Sequence, residues 1–241
     1  MHNIVAIARR ELTSYFHSPV AHVVLAVFLV VSGWLFFYFS GLLIVGKASM
    51  RGFFSLLPLL FMLFVPAITM RLIAEERKSG TFEGLMTLPV AEHEVVIGKF
   101  LAALGMMCVG LLCTGVFPIS LSIIKAEGTS LDMGPIIGGY VSAVLLLSAF
   151  ISFGMWASAL SKNQIIAFIL GLLLCFALWI PDKAVIILPP SVGEAVQYLS
   201  ANYHFENIAR GVVDFRDVLY YLTVTTIGLV LTTRTVAATR Q

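Results

Sequence analysis

The chain has 241 residues, 59% hydrophobic and only 12% charged, with a mean hydropathy of +0.99 and a formal net charge of +2. Soluble domains are about 45–50% apolar and about 25% charged, so this composition describes an integral membrane protein, all-helical and organised as one domain over residues 1–241. The small net charge is not gathered into a basic stripe and gives no basis for nucleic-acid binding. Cys108, Cys113 and Cys175 fall inside apolar runs, with neither metal-ligand nor redox spacing.

Residues 3–17 precede the apolar runs. Ile4, Ile7, Ala8, Leu12, Tyr15 and Phe16 follow helical spacing and form one stripe, with Arg9, Arg10, Thr13 and His17 on other faces. This pattern predicts an amphipathic helix lying in the membrane interface, ended at Pro19. Six spanning helices are then expected, over 20–45, 53–73, 100–124, 135–160, 164–180 and 218–233; a crossing takes about 20 apolar residues. The last, short and rich in threonine, is the weakest of the six. Pro58 and Pro66 interrupt the second. Gly98 with Ala102, and Gly154 with Ser158, form small-xxx-small pairs suited to close helix packing.

The loop over 181–217 is too long for a simple turn. Ser191 and Glu194 have the spacing of a capping box, and Asn202 is placed to cap a second short helix. Two amphipathic helices are therefore expected between the fifth and sixth spans, with His204 and Phe205 as candidate contacts for a substrate or an auxiliary subunit. Lys and Arg divide nine to six in favour of the side carrying both termini, which predicts that this side is cytoplasmic.

Between the second and third spans lies RLIAEERKSGTFEGLMTLPVAEHEVVIGK, residues 71–99, which places nine formal charges in an otherwise apolar chain. Ser79, Gly80 and Thr81 should break the long helix. Thr81 is suited to cap a new short helix with Glu83 near its positive end. Phe82, Leu85, Met86 and Pro89 would share an apolar side. Charged flanks around such a face make a surface for docking a soluble partner.

The run EERKSGTFEGLMTLPV with EVVIGKF resembles the hallmark of type-2 ATP-binding-cassette (ABC) exporter permeases. The opening IARRELTSYFHSPVAHVVLAVFLVVSG and the outer NYHFENIARGVVDFRDVLYY are similar to the same family, closest to its gliding-motility-associated branch and more distantly to copper-related permeases. The resemblance covers nearly the whole chain. It implies that residues 74–98 form a cytoplasmic coupling segment, with Glu75, Glu76, Arg77, Ser79, Gly80, Thr81, Phe82, Glu83, Leu85, Met86 and Pro89 meeting an ATPase. It also implies that Arg9, Arg10 and Glu11 lie on a connecting helix that touches the same partner. Further implications are two ATPase subunits holding ATP and Mg, a second permease copy or a related permease, and a membrane-anchored periplasmic auxiliary protein. The chain itself would be a non-enzymatic, cofactor-free inner-membrane subunit. On this reading, reversing Glu75 and Glu76 together should uncouple the ATPase while leaving folding intact.

Other readings meet obstacles in the residues. Glu75–Glu76 begins an EExxxR protease motif, but Gly80 stands where the Arg belongs. His93–Glu94 begins HExxH, but Ile97 replaces the second His. No Walker motif is present. The spans are almost free of the ionisable groups on which ion-coupled transporters depend. A scaffold or force-transmitting subunit without classical transport remains the alternative to a permease.

Overall fold

A computed structural model describes residues 2–39, 49–80, 91–124, 132–185 and 189–238. Over these the chain is helical, with no strand: α1 (His2–His17), α2 (Pro19–Phe39), α3 (Arg51–Thr69), α4 (Ala74–Ser79), α5 (Glu92–Cys113), α6 (Val116–Ile124), α7 (Met133–Leu160), α8 (Gln164–Trp179), α9 (Pro181–Ala184), α10 (Pro190–Gln197), α11 (Ala201–Ala209) and α12 (Phe215–Ala238). Helix α7 is the axis. It is apolar all round, and most of it is covered by neighbouring helices, while Ile137, Val141 and Val144 leave one exposed stripe. Ala143, Leu146, Leu147, Ala149, Phe150 and Ile151 are fully buried beneath α3, α5, α8, α11 and α12. Phe28, Phe36, Phe53, Phe61, Phe64 and Phe117 fill the space between α2, α3 and α6.

Among the described residues, five helical stretches are long and apolar enough to cross a membrane: Pro19–Tyr38, Arg51–Ser79, Glu92–Ile123, Met133–Leu160 and Phe215–Ala238. The remaining expected span, 164–180, is α8 and has only 16 residues, about 24 Å at a rise of about 1.5 Å per residue. The short member is therefore the fifth in chain order, whereas the last helix, expected to be short, runs for 24 residues. Its threonines explain the difference. Thr223, Thr226, Thr232, Thr233 and Thr235 each donate to the carbonyl four residues back, so their hydroxyls are satisfied inside the helix.

Other boundaries move for local reasons. The third span begins at Glu92, eight residues before the apolar run. Glu94 Oε2 accepts from the Ala91 N–H at 3.4 Å, and the charge of Lys99 is paired. The same span breaks at Thr114–Gly115, because Pro118 has no N–H to offer the Thr114 carbonyl. Helix α10 begins at Pro190 with Pro189 as its N-cap, so Ser191 lies inside the first turn of the helix and not at the cap. Helix α11 is capped by Ser200, whose hydroxyl accepts from the Asn202 N–H at 3.2 Å. Asn202 instead donates to Asp182 and Glu206.

The small-residue pairs do what their spacing predicts. A Cβ on Gly98 would lie 2.7 Å from Ile7 Cγ2 and 3.2 Å from the Ile4 carbonyl, so α1 sits directly on α5. A Cβ on Gly154 would collide with the Thr69 side chain. Phe16, placed on the α1 stripe by its spacing, is 41% exposed. The inward face is instead Ile4, Ile7, Ala8, Glu11, Leu12 and Tyr15. Because Gly98 and Gly105 take up Ile7 and Leu12, the stripe that was expected to lie in the membrane interface is covered by α5.

Candidate functional site

Three elements meet around Lys99. This lysine is 1% exposed, on the second turn of α5, and its Nζ lies 3.0 Å from Glu11 Oε1 of α1 and 2.7 Å from Glu76 Oε1 of α4. A buried ammonium is tolerated only when opposite charge and hydrogen bonds replace its water. Both carboxylates do so here, each retaining some solvent access. Asn3 Nδ2 donates to Glu94 Oε2 at 3.0 Å and ties down the far end of α1.

The corner between α3 and α4 is stitched to the end of α7. Residues 70–73 leave the helical ladder, which exposes backbone groups that must find other partners. Ser158 Oγ accepts from the N–H groups of Ile73 and Ala74 at 3.1 and 3.0 Å and donates to the Met70 carbonyl at 3.0 Å. Arg77 Nη1 donates to the Ala159 carbonyl. Arg71 holds Glu75 through Nε–Oε2 at 2.9 Å and Nη2–Oε1 at 3.2 Å. Gly80 ends α4 at φ 75°, in the left-handed region that favours glycine.

The residues picked out from the sequence therefore divide into groups. Glu75, Glu76 and Arg77 are engaged within the chain, and Glu11 turns inward to Lys99 instead of outward to a partner. Arg9, Arg10, Lys78, Ser79 and Gly80 are exposed on the same side of the molecule. Thr81, Phe82, Glu83, Leu85, Met86 and Pro89 lie outside the described residues. The expectation that reversing Glu75 and Glu76 spares the fold needs correcting, because a cation at position 76 would face the buried Lys99. In the sequence Lys99 is only one of the nine charges of residues 71–99, and Ser158 only half of a small-xxx-small pair. The signal for Lys99 lay in its place: one lysine two turns into a helix that runs on as a crossing.

At the opposite end, His204 is fully buried. Its Nδ1 lies 2.6 Å from Asp217 Oδ1, its Nε2 lies 2.9 Å from the Tyr198 carbonyl, and its ring stacks on Tyr220 at 4.0 Å. Phe205 is buried beside it. Tyr221 Oη donates to the Ala201 carbonyl at 2.6 Å, and Gly138 leaves room for the Ile208 carbonyl against α7. This His–Asp pair locks α11 onto α12, and the close approach at Gly138 seats α11 against α7. Neither His204 nor Phe205 presents a surface to a ligand.

A bundle of long apolar helices with a polar, charge-tied junction at one end defines a multi-pass membrane protein. The profile of the ABC-2 family transporter proteins matches residues 35–235. The chain belongs to that family and is a membrane permease subunit of the ABC transporter class, a class that normally works with an ABC ATPase. No curated protein matches it.

Proposed function

We propose that this chain converts work done by two ABC ATPase subunits into movement of its crossing helices, and that it exports its substrate. The observation that carries the reading is the Lys99 junction. It binds α1 and α4, the two elements placed to meet the ATPase, to α5, while Ser158 and Arg77 bind α4 to α7. A push on residues 74–89 would thus reach two crossings at once. Residues 3–17 serve as the connecting helix, residues 74–98 as the coupling segment, and the exposed Arg9 and Lys78 as contacts for an acidic rim on the partner. ATP and Mg reside on that partner, and the permease holds no cofactor.

The same reading counts α8 as the sixth crossing. Its first residues follow Ser161 at the α4 end, and its last carbonyl, Trp179, accepts from Ser200 at the α11 end at 3.1 Å. Although short, α8 thus connects the two polar ends of the bundle. Both termini are then cytoplasmic and the His204 end is periplasmic, in a bacterial inner membrane. A second permease copy completes the pathway. The resemblance along the whole chain supports the gliding-motility-associated branch, which would add a membrane-anchored periplasmic auxiliary protein.

The test is co-expression with the cognate ATPase. Arg9→Glu combined with Lys78→Glu should lower ATPase capture and permease-dependent ATP hydrolysis at least about tenfold, the effect of losing roughly 1.4 kcal/mol at the interface, with the permease's own unfolding transition unchanged. Full capture by the double variant, or no nucleotide hydrolysis in any purified assembly, would overturn the proposal.

A further inference from the structure

The geometry points to a phospholipid site beside the Lys99 junction, selective for a head group that carries both a phosphate and a primary amine. A cavity of about 300 Å³ lies between the second half of α1 and the α3–α4 corner. It is lined by three cations, Arg10, Arg71 and Lys99, and three anions, Glu11, Glu75 and Glu76. The formal charges cancel, so the cavity offers both signs and suits a zwitterion better than a simple anion or cation.

Two groups there have capacity left over. Arg10 is exposed and has no ion-pair partner among the described residues. The Tyr15 hydroxyl is buried without a hydrogen-bond partner, which costs free energy unless a ligand or water supplies one. Burial, reinforced by the nearby Glu11, Glu76 and Glu75, holds this phenol protonated far above its ordinary range, so Tyr15 acts as a donor.

A second, smaller feature gives the cavity an apolar exit. Tyr15, Ser18 and Arg71 also line a narrow apolar crevice, completed by Val20, Ala21, Val24, Ala67 and Ile68 along the seam of α2 and α3. The first crossing begins at Pro19, which puts the shared wall of cavity and crevice at head-group depth. Arg10 and Tyr15 would hold the phosphate and Glu75 and Glu11 the ammonium, while the crevice, of only about 20 Å³, marks where one acyl chain would leave along the α2–α3 seam. A choline head group lacks the N–H donors that the carboxylates accept from, and a glycerol head group lacks the cation.

The experiment uses the full-length protein in nanodiscs containing a trace of phosphatidylethanolamine with a diazirine on its acyl chain near the ester. Photolysis and peptide mapping should place the cross-link in residues 20–24 and 67–71. Tyr15→Phe and Arg10→Gln should each reduce the yield about five- to tenfold, the worth of one hydrogen bond or charge contact. Both variants keep their packing, which a thermal melt checks. Unlabelled phosphatidylethanolamine should compete better than phosphatidylcholine or phosphatidylglycerol. Cross-links spread evenly over the spans, or yields unchanged in both variants, would overturn the site. Equal competition by phosphatidylglycerol would overturn its selectivity, and displacement by soluble glycerophosphoethanolamine would overturn a lipid as its occupant. No ATPase is present in this assay, so its outcome is independent of the proposed transport role.

Discussion

Lys99 shows how one side chain can define a junction. Its ammonium is nearly sealed from solvent, and both of its carboxylate partners come from other elements. Removing one member of a buried ion group leaves the others desolvated and uncompensated, which commonly costs about 3–5 kcal/mol. Partial exposure of Glu11 and Glu76 reduces that figure, so Lys99→Met should destabilise by about 2–4 kcal/mol in denaturant titration of the solubilised protein. Adding Glu11→Gln and Glu76→Gln should recover part of the loss, because no unpaired charge then remains. Equal or greater damage in the triple variant would show that the lysine's aliphatic stem matters more than its charge.

The elements were legible in the sequence to different degrees. Apolar runs and the 3.6-residue stripe located α1, α2, α3, α7 and the spans that follow, and the Gly98 and Gly154 pairs identified two close helix contacts. Ends were harder to place: Pro118 split a run that looked continuous, and Ser200 took the cap assigned to Asn202. The Lys99 junction could not be read from the sequence, because Glu11 is 88 residues and Glu76 23 residues away, and only the packing of α1 and α4 brings them together. Ser158 was hidden for a related reason. Serines are ordinary in membrane helices, and nothing in the sequence showed that residues 70–73 would leave backbone groups to be satisfied. The α1–α5 contact itself is testable. Gly98→Val pushes a branched side chain into Ile7 and the Ile4 carbonyl, an overpacking that costs about 1–3 kcal/mol. Hydrogen exchange should quicken across residues 3–17 while α7 stays protected; uniform loss of protection would mean that α1 is not a separable element.

For the molecule as a whole, the bundle has two polar ends of different character. One carries Arg9, Lys78 and the Lys99 group; the other carries the His204–Asp217 pair and the exposed Val212. With Cys108, Cys113 and Cys175 replaced, Lys78→Cys and Val212→Cys report which side each end faces. In intact cells a membrane-impermeant maleimide should label position 212 at once and position 78 only after permeabilisation. The opposite pattern would invert the topology and remove the ATPase from the end assigned to it.

The link between Glu11 and Lys99 also bears on the order of synthesis. Glu11 emerges from the ribosome long before Lys99, and α2 and α3 reach the bilayer in the interval. The leading helix therefore waits with its carboxylate hydrated at the lipid surface, and it docks only when the third long hydrophobic stretch has begun to insert. Nascent chains stalled shortly before residue 99 should leave that helix open to protease, and chains stalled well beyond it should not.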